Sequence, residues 1–248
     1  MSSARYLIGI DDTDNATSRG TGFRGRRLGT LLAGEGLARP EGITRHQLLV
    51  DPRIPYTSHN SSLCLLVEAE TSQVGDVIGF CRDFLLRESA PGSDAGLAFA
   101  PLAAFGAEMQ DFGYRAKREV LTKPAAHELA EAGGIHLEGL TGDRGGVIGA
   151  LAACGLRAGA RDGRFVWLSG VRRMCGVFDA DTILRTTGIE EIRSLTGERI
   201  MGAERIETSP WPRPVMIEGR AVLLVERASE ADGGHEWNLA PKRVIKSY

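Results

Sequence analysis

The sequence predicts an α/β or α+β protein with a central mixed sheet, flanking helices and a small C-terminal lobe. Strand-like and helix-like patterns alternate over the first 170 residues, which is typical of a sheet covered by helices. Residues 172–248 show little helical periodicity. The composition, 42% apolar and 25% charged in 248 residues, is that of an ordinary globular protein. We therefore predict two domains, 1–175 and 176–248.

Each element is predicted from its own pattern. Short apolar runs indicate strands, and apolar residues three and four apart indicate helices. In the helix predicted at 124–133, Pro124 lies in the first turn and Gly133 at the end. The predicted strands are 6–10, 43–50, 63–70, 96–100 and 164–171, and the other predicted helices are 24–39, 74–88 and 147–153. In the second domain, 215–218 and 221–226 are predicted to form a hairpin that turns at Gly219.

Charge and hydropathy exclude several classes of function. The formal net charge of −2 gives no overall field that would draw the molecule onto nucleic acid or an anionic membrane. Aromatic residues are only 6%, which argues against a surface that stacks successive bases. Because the N-terminus leads directly into a strand and no apolar run could span a bilayer, we expect a cytoplasmic protein without a membrane partner. A homo-oligomer is compatible with the sequence.

Three carboxylates follow the first predicted strand. Residues 9–14 read Gly-Ile-Asp-Asp-Thr-Asp, so that Asp11, Asp12 and Asp14 occupy three of four positions. Strand alternation sends Asp11 and Asp12 to opposite faces unless the chain bends. Carboxylates this close repel one another, and Mg²⁺ is a natural compensating cation because it binds one or two carboxylates together with phosphate oxygens. The alternative is a turn capped by Asp side chains. Three carboxylates together favour the metal.

A glycine-rich loop precedes the helix predicted at 147–153. Gly145, Gly146 and Gly149 would let backbone N–H groups approach a phosphate at the positive end of that helix. The run is neither G-x-x-x-x-G-K-[ST] nor G-x-G-x-x-G. Taken alone, the pattern favours a structural alternative, in which Gly145 and Gly146 have positive φ and Gly149 allows close helix packing.

Two further segments contain candidate binding residues. Residues 56–62 are a run of hydrogen-bonding side chains, in which Asn60 could contact a nucleotide. Residues 115–119 are locally basic, and Lys117 or Arg118 could neutralise phosphate charge ahead of a strand-like pair at 120–121. The alternatives are a polar loop and a solvated charged face, and each is the commoner explanation of such a run.

Several of these segments together resemble the archaeal isoleucine-tRNA agmatinylcytidine synthetase family. The matching runs are 9–14, Pro-Tyr at 55–56 with Asn60, Pro-Gly-Ser-Asp-Ala-Gly at 91–96, and Gly-Val-Ile-Gly-Ala-Leu-Ala-Ala at 146–153. They occur in the family's order and cover about residues 5–171, the part similar to its ATP-dependent kinase-like domain. Residues 214–220 faintly resemble the start of its ferredoxin-like domain, so 176–248 could be a remnant of that domain.

The resemblance implies ATP binding with Mg²⁺ at Asp11, Asp12 and Asp14, and transfer of the γ-phosphoryl group. It also implies that Asn60 contacts the site and that 145–149 shape the nucleotide pocket. The sequence departs from the family in two places. Residues 20–24, Gly-Thr-Gly-Phe-Arg, replace the run whose first Thr accepts phosphate, and the Lys and Arg of a second run are missing at 57–60. The family's oligonucleotide-binding domain and zinc ribbon also have no counterpart.

These observations leave three hypotheses open. The first is an enzyme, an ATP- and Mg²⁺-dependent phosphotransferase that acts on a small molecule or an RNA. In it, Asp11, Asp12 and Asp14 hold metal and phosphates, and Lys117 or Arg118 neutralises charge. The second is a nucleotide sensor without catalysis, as the missing Thr and basic residues suggest. The third is an RNA-binding or scaffold subunit, against which the near-neutral charge counts.

Overall fold

A computed structural model describes residues 2–57, 59–229 and 233–248. The chain divides into two compact units, Met1–Gly159 and Ala160–Tyr248, which we call unit 1 and unit 2. Both units combine β-sheet with helices, which confirms the predicted α/β class. Within the described ranges, every helix is too short or too polar to cross a bilayer.

Unit 1 is built on an antiparallel sheet. Its strands are β1 (Ser3–Asp11), β2 (Arg39–Gln47), β3 (Ser61–Glu70), β4 (Gly96–Pro101) and β5 (His136–Gly139). They lie in the order β5-β4-β1-β3-β2, so β1 is central and pairs with β4 on one side and β3 on the other. Ile10 on β1 and Arg45 on β2 both lie opposite Leu63 of β3. In this register, the C-terminal ends of β1 and β2 lie at the same end of the sheet.

Helices cover both faces of this sheet. They are α1 (Thr21–Gly34), α2 (Val74–Glu88), α3 (Ala107–Arg115), α4 (Lys123–Ala132) and α5 (Val147–Ala158). A Cβ added to Gly25 of α1 would lie 3.5 Å from Ile10, and one added to Gly9 would lie 2.0 Å from the carbonyl oxygen of Ala150 in α5. Because neighbouring residues of a strand face opposite ways, α1 and α5 lie on opposite faces of β1.

Unit 2 is a sheet of shorter strands. They are β6 (Arg164–Trp167), β7 (Val177–Asp179), β8 (Glu191–Ser194), β9 (Arg205–Glu207), β10 (Val215–Ile217), β11 (Arg220–Arg227) and β12 (Trp237–Leu239). The order is β6-β10-β11-β12-β9-β7, with β8 paired to β11. The β8–β11 and β9–β12 pairs are parallel. The helices α6 (Ala180–Thr186) and α7 (Lys242–Ile245) complete the unit.

The predicted and observed bounds agree best for elements that have one continuous sequence pattern along their whole length. The helix predicted at 74–88 is α2, and the hairpin predicted around Gly219 is formed by β10 and β11. The helix predicted at 24–39 ends at Gly34, because Gly36 has a φ of +68° and the chain enters β2 at Arg39. Residues 120–121 do not lie in a strand.

Candidate functional site

A cavity of about 540 Å³ lies in unit 1 where β1, β2 and β3 meet their loops. Its lining combines acidic and other polar residues with an apolar wall. The polar and glycine positions of the lining include Asp11, Asp12, Asp14, Thr21, Arg45, Asn60, Gly145, Gly146 and Gly149. The apolar residues of its wall include Leu48, Ile54, Pro55, Tyr56, Val120 and Leu121.

The backbone bends sharply at the aspartates. β1 ends at Asp11, and Asp12 has a φ of +48°, in the left-handed region that Asp tolerates better than most residues. This bend breaks the strand alternation, and Asp11, Asp12 and Asp14 all line the cavity. The bend is held by side chains, because the Thr21 hydroxyl donates to Asp14 Oδ1 at 2.7 Å and accepts from buried Thr13 at 3.0 Å.

Negative charge accumulates at this end of the cavity. Burial, followed by repulsion from Asp12, raises the pKa of Asp11 from 3.8 to about 7. Burial also raises the pKa of Asp12 to about 6, and repulsion from Asp94, Asp14 and Asp143 adds to the shift. Within the described ranges neither side chain forms an ion pair, and a bound cation would restore both carboxylates to their ionised form.

The glycine loop is packed against these aspartates. A Cβ on Gly149 would lie 1.8 Å from Asp11 Oδ2, so the missing side chain is what leaves room for the carboxylate. A Cβ on Gly146 would lie 2.6 Å from the Asp94 carbonyl oxygen. The expectation of positive φ at Gly145 and Gly146 is wrong: the left-handed residues of this loop are Gly142 and Arg144. The close packing of the loop, rather than its turn, requires Gly146 and Gly149.

Two helix N-termini lie at the cavity. Thr21 and Gly22 of the first turn of α1 line it, as do Ile148 and Gly149 of the first turn of α5. Neither helix has a side-chain cap or an acidic residue in its first turn. In α4, by contrast, the hydroxyl of Thr122 caps the N-terminus. The α1 and α5 ends therefore offer positive dipole ends and backbone donors to an anion in the cavity.

Predicted residues outside the aspartate loop are placed differently. Asn60 is buried, lines the cavity and donates from Nδ2 to the Leu49 carbonyl oxygen at 2.6 Å, so its amide also fixes the loop between β2 and β3. Lys117 and Arg118 lie in the turn after α3 and do not line the cavity, although Ala116 does. Ser58 of the polar run lies outside the described residues.

The sequence interpretation missed three cations that line the cavity, Arg45, Arg53 and Lys123. Two of them are paired: the Arg53 guanidinium binds both oxygens of Asp51 at 2.8 Å, and Lys123 Nζ donates to the Asp143 carbonyl oxygen at 2.6 Å. Arg45 had a signal in the sequence, because it is a charged residue inside a predicted strand. Arg53 and Lys123 stand in loop and helix-end positions, where charge is ordinary.

Comparison with solved structures finds relatives of this fold. A complex of TiaS with an isoleucine tRNA and ATP matches with a TM-score of 0.54 and 24% identity, over 61% of this chain and 36% of that chain. Apo TiaS, a tRNA agmatidine synthetase, gives 0.53 and 23%, over 61% and 35%. A tRNA fluorescent labelling enzyme gives 0.53 and 25%, over 61% and 36%. No protein-family model and no curated protein matches the chain.

The comparison establishes a shared fold. The chain has a TiaS-like fold over the matched region, and that region spans only about a third of the length of the solved proteins. The resemblance seen in the sequence is therefore supported at the level of architecture. What this cavity binds depends on the residues of the cavity itself.

Proposed function

We propose that the protein is an ATP- and Mg²⁺-dependent phosphotransferase whose nucleotide site is the cavity of unit 1. The observation on which the proposal rests is that one cavity joins a cluster of unpaired carboxylates to two uncapped helix N-termini. Carboxylates bind cations, and helix N-termini bind anions. A nucleotide phosphate chain with its Mg²⁺ is a ligand that satisfies both at once.

The aspartates fit a metal that shares its coordination with the nucleotide. Among the described residues, no three His, Cys, Asp or Glu side chains are arranged to hold a metal ion by themselves. Mg²⁺ needs no such cage, since it usually takes one or two carboxylates and completes its shell with phosphate oxygens and water. Asp11 and Asp12, whose pKa values are raised by burial and by repulsion from neighbouring carboxylates, would hold it, with Asp14 beside them. Bound Mg²⁺ would supply neutralisation of phosphate charge.

The chain's own groups would position the reaction. Backbone N–H groups at the starts of α1 and α5 would bind phosphate oxygens, and the packing of Gly149 against Asp11 would keep the two elements together. In the transfer, an acceptor oxygen bonds to the terminal phosphorus, the bond from that phosphorus to the bridging oxygen breaks, and ADP leaves. Asp14 would take the proton of the acceptor hydroxyl.

Thr21 is the hydroxyl in the cavity with this geometry, because it already donates to Asp14 at 2.7 Å. Thr17, the other threonine near the position of the family's phosphoacceptor, is exposed and does not line the cavity. We therefore propose Thr21 as the first hydroxyl to test as an acceptor. A small molecule or an RNA could be the final acceptor.

The solved neighbours support the nucleotide part of this proposal. The TiaS complexes that match this fold contain an isoleucine tRNA together with ATP or AMPCPP, and one also contains agmatine. We extend the use of ATP to this chain, because its cavity has the groups that ATP and Mg²⁺ need. The matched region is about a third of those proteins, so the acceptor is not extended with it.

A nucleotide sensor without catalysis is the second candidate. It is favoured by the position of Lys117 and Arg118, the predicted neutralising cations, outside the cavity. A sensor would bind ATP in the same way and transfer phosphate to no acceptor. Transfer of labelled phosphate to Thr21 or to any added acceptor would exclude it.

Calorimetric titration of ATP, with and without Mg²⁺, tests the proposal. We expect the wild type to bind ATP only when Mg²⁺ is present. Asp12→Asn keeps the shape and tolerates the left-handed backbone, and it should weaken binding by about tenfold or more, the effect of about 1.4 kcal/mol. Asp83→Asn, at an exposed position of α2 outside the cavity, is the control and should match the wild type. Binding that is insensitive to both Mg²⁺ and Asp12→Asn would reject the site.

A further inference from the structure

Arg45 is a cation held inside the cavity by the sheet. It lies on β2 opposite Leu63, half-buried, and its Nε donates to the Ser61 hydroxyl at 2.8 Å. Asp14 and Asp11 act on it electrostatically but form no ion pair with it. Among the residues that the structure describes, none accepts a hydrogen bond from its two terminal nitrogens. The donor pair of the guanidinium is therefore available to a ligand.

The other two cations of the cavity, Arg53 and Lys123, use their donors within the protein. The Arg53 guanidinium already forms a bidentate ion pair with Asp51. Lys123 Nζ donates to the Asp143 carbonyl oxygen and lies 3.6 Å from Asp143 Oδ2. Burial lowers the pKa of Arg45, and only part of that effect is offset by Asp14 and Asp11. The guanidinium nevertheless remains charged at neutral pH. It has lost hydration without forming a direct ion pair among the described residues, and an anionic ligand would supply one.

The surroundings of Arg45 identify which part of a nucleotide it meets. Asp14 interacts electrostatically with Arg45 and also accepts the hydrogen bond from the Thr21 hydroxyl. Asp12 is repelled by Asp94, Asp14 and Asp143. Arg45 is thus near the carboxylate that binds the acceptor-like hydroxyl of Thr21, and the transferred phosphate must lie next to its acceptor.

We propose that Arg45 contacts the terminal phosphate of the nucleotide and makes the site selective for a nucleoside triphosphate over a diphosphate. A guanidinium fork matches two phosphate oxygens in a bidentate contact. The same contact would neutralise charge on the phosphoryl group during transfer, the part first assigned to Lys117 or Arg118. This inference rests on the proposed function, and it adds a residue and a selectivity to it.

The test compares the affinities for ATP and ADP in Mg²⁺ by calorimetry. Arg45→Gln should weaken ATP binding by about tenfold while leaving ADP binding nearly unchanged, because only ATP has the phosphate that Arg45 contacts. Arg45→Lys keeps the charge without the fork and should give an intermediate ratio. Arg39→Gln is the matched control, since Arg39 is exposed on the same strand and does not line the cavity. It should leave both affinities unchanged.

Each other outcome has a definite meaning. Equal weakening of ATP and ADP in Arg45→Gln would mean that Arg45 only supports the fold of the site, and the inference would be overturned. Unchanged affinities for ATP and ADP in Arg45→Gln would also overturn the inference. The proposed function would still stand if the wild-type protein binds ATP. Should Arg45→Gln fail to fold by circular dichroism, the ATP-to-ADP ratio in Arg45→Lys decides, and a wild-type ratio there contradicts the inference. A wild type that binds neither nucleotide rejects the inference and the proposed function together.

Discussion

Asp11 of unit 1 and Glu191 of unit 2 are carboxylates that lose hydration in the fold, and their surroundings are opposite. Glu191 is 5% exposed and binds three arginines, with Arg193 Nε at 2.6 Å, Arg199 at 3.1 Å and Arg220 at 3.4 Å. Hydrogen bonding from Arg193 is the largest cause that holds the pKa of Glu191 at about 2. Asp11 has no such partner among the described residues, and its pKa is raised to about 7.

The difference separates a structural charge from a candidate site. The unit 2 carboxylate is satisfied by its own chain, so it needs no ligand to be stable. The unit 1 carboxylate is kept next to Asp12 in an unfavourable electrostatic position, and such perturbed groups in a cavity are typical of functional sites. A buried carboxylate by itself therefore does not indicate a functional site. A buried carboxylate without an ion-pair partner does.

Removing the Glu191 charge should give the largest loss of stability. Glu191→Gln leaves three arginines around a neutral amide, and we expect a cost of about 3 kcal/mol in the free energy of unfolding. Because the pKa is depressed from 4.5 to about 2, this stabilisation is present above pH 4.5 and is lost as the pH falls through 2. Denaturant titration at pH 7 and pH 2 measures both effects, and exposed Glu198→Gln is the control. If Glu191→Gln and Glu198→Gln lost equal stability, Glu191 would not be stabilised by its arginines, and its contrast with Asp11 would be wrong.

Filling the space beside Asp11 should cost somewhat less. Gly149→Ala places a methyl group 1.8 Å from Asp11 Oδ2, and overpacking of this kind costs about 1–3 kcal/mol. Gly79→Ala in α2 has nothing within 4 Å of the new methyl, and it should instead stabilise by about 0.5–1 kcal/mol. Thermal unfolding of the pair checks this. If Gly149→Ala were as stable as Gly79→Ala, the close contact between α5 and Asp11 would be wrong.

Neutralising Asp11 should change the free energy of unfolding with a sign opposite to that of Glu191→Gln. Because the pKa of Asp11 rises from 3.8 to about 7 on folding, the native state holds more protons between these values and loses stability as the pH increases through 7. Asp11→Asn should therefore stabilise the protein at pH 8 by up to roughly 4 kcal/mol, the equivalent of about three pKa units, and have little effect near pH 4. Thermal unfolding at both pH values, with Asp83→Asn as control, decides. Destabilisation at pH 8 would show that Asp11 is paired after all.

Secondary structure could be predicted from the sequence where the local residue pattern matches the burial of the element in the fold. The α2 helix fills its amphipathic run, and Gly219 marks the hairpin of unit 2. The short strands β7, β9 and β12, of three residues each, have too few positions for a period to be detected. They exist because neighbouring strands supply their hydrogen bonds. The sequence interpretation missed α3, although its buried residues Met109 and Phe112 are three apart, and this face packs against α5.

The candidate site was foreseen only in part. The aspartates could be found because three carboxylates at a strand end are unusual in any protein. Arg45 could not be assigned to the same cavity, since its place depends on the register that sets it opposite Leu63. For Lys117 and Arg118 the reverse holds: composition made them candidates, and the turn after α3 leaves them outside the cavity.

The central claim is that the aspartate end of the unit 1 cavity binds a metal–phosphate group, and a crystal structure with Mn²⁺ and a non-hydrolysable ATP analogue tests it most directly. We expect an anomalous peak about 2.0–2.3 Å from a carboxylate oxygen of Asp11 or Asp12, close to the distance Mg²⁺ requires. The phosphates should lie against the N-terminus of α1 or α5, with the terminal one next to Arg45. A nucleotide bound elsewhere, or a cavity in which the aspartates contact neither metal nor phosphate, would contradict the account.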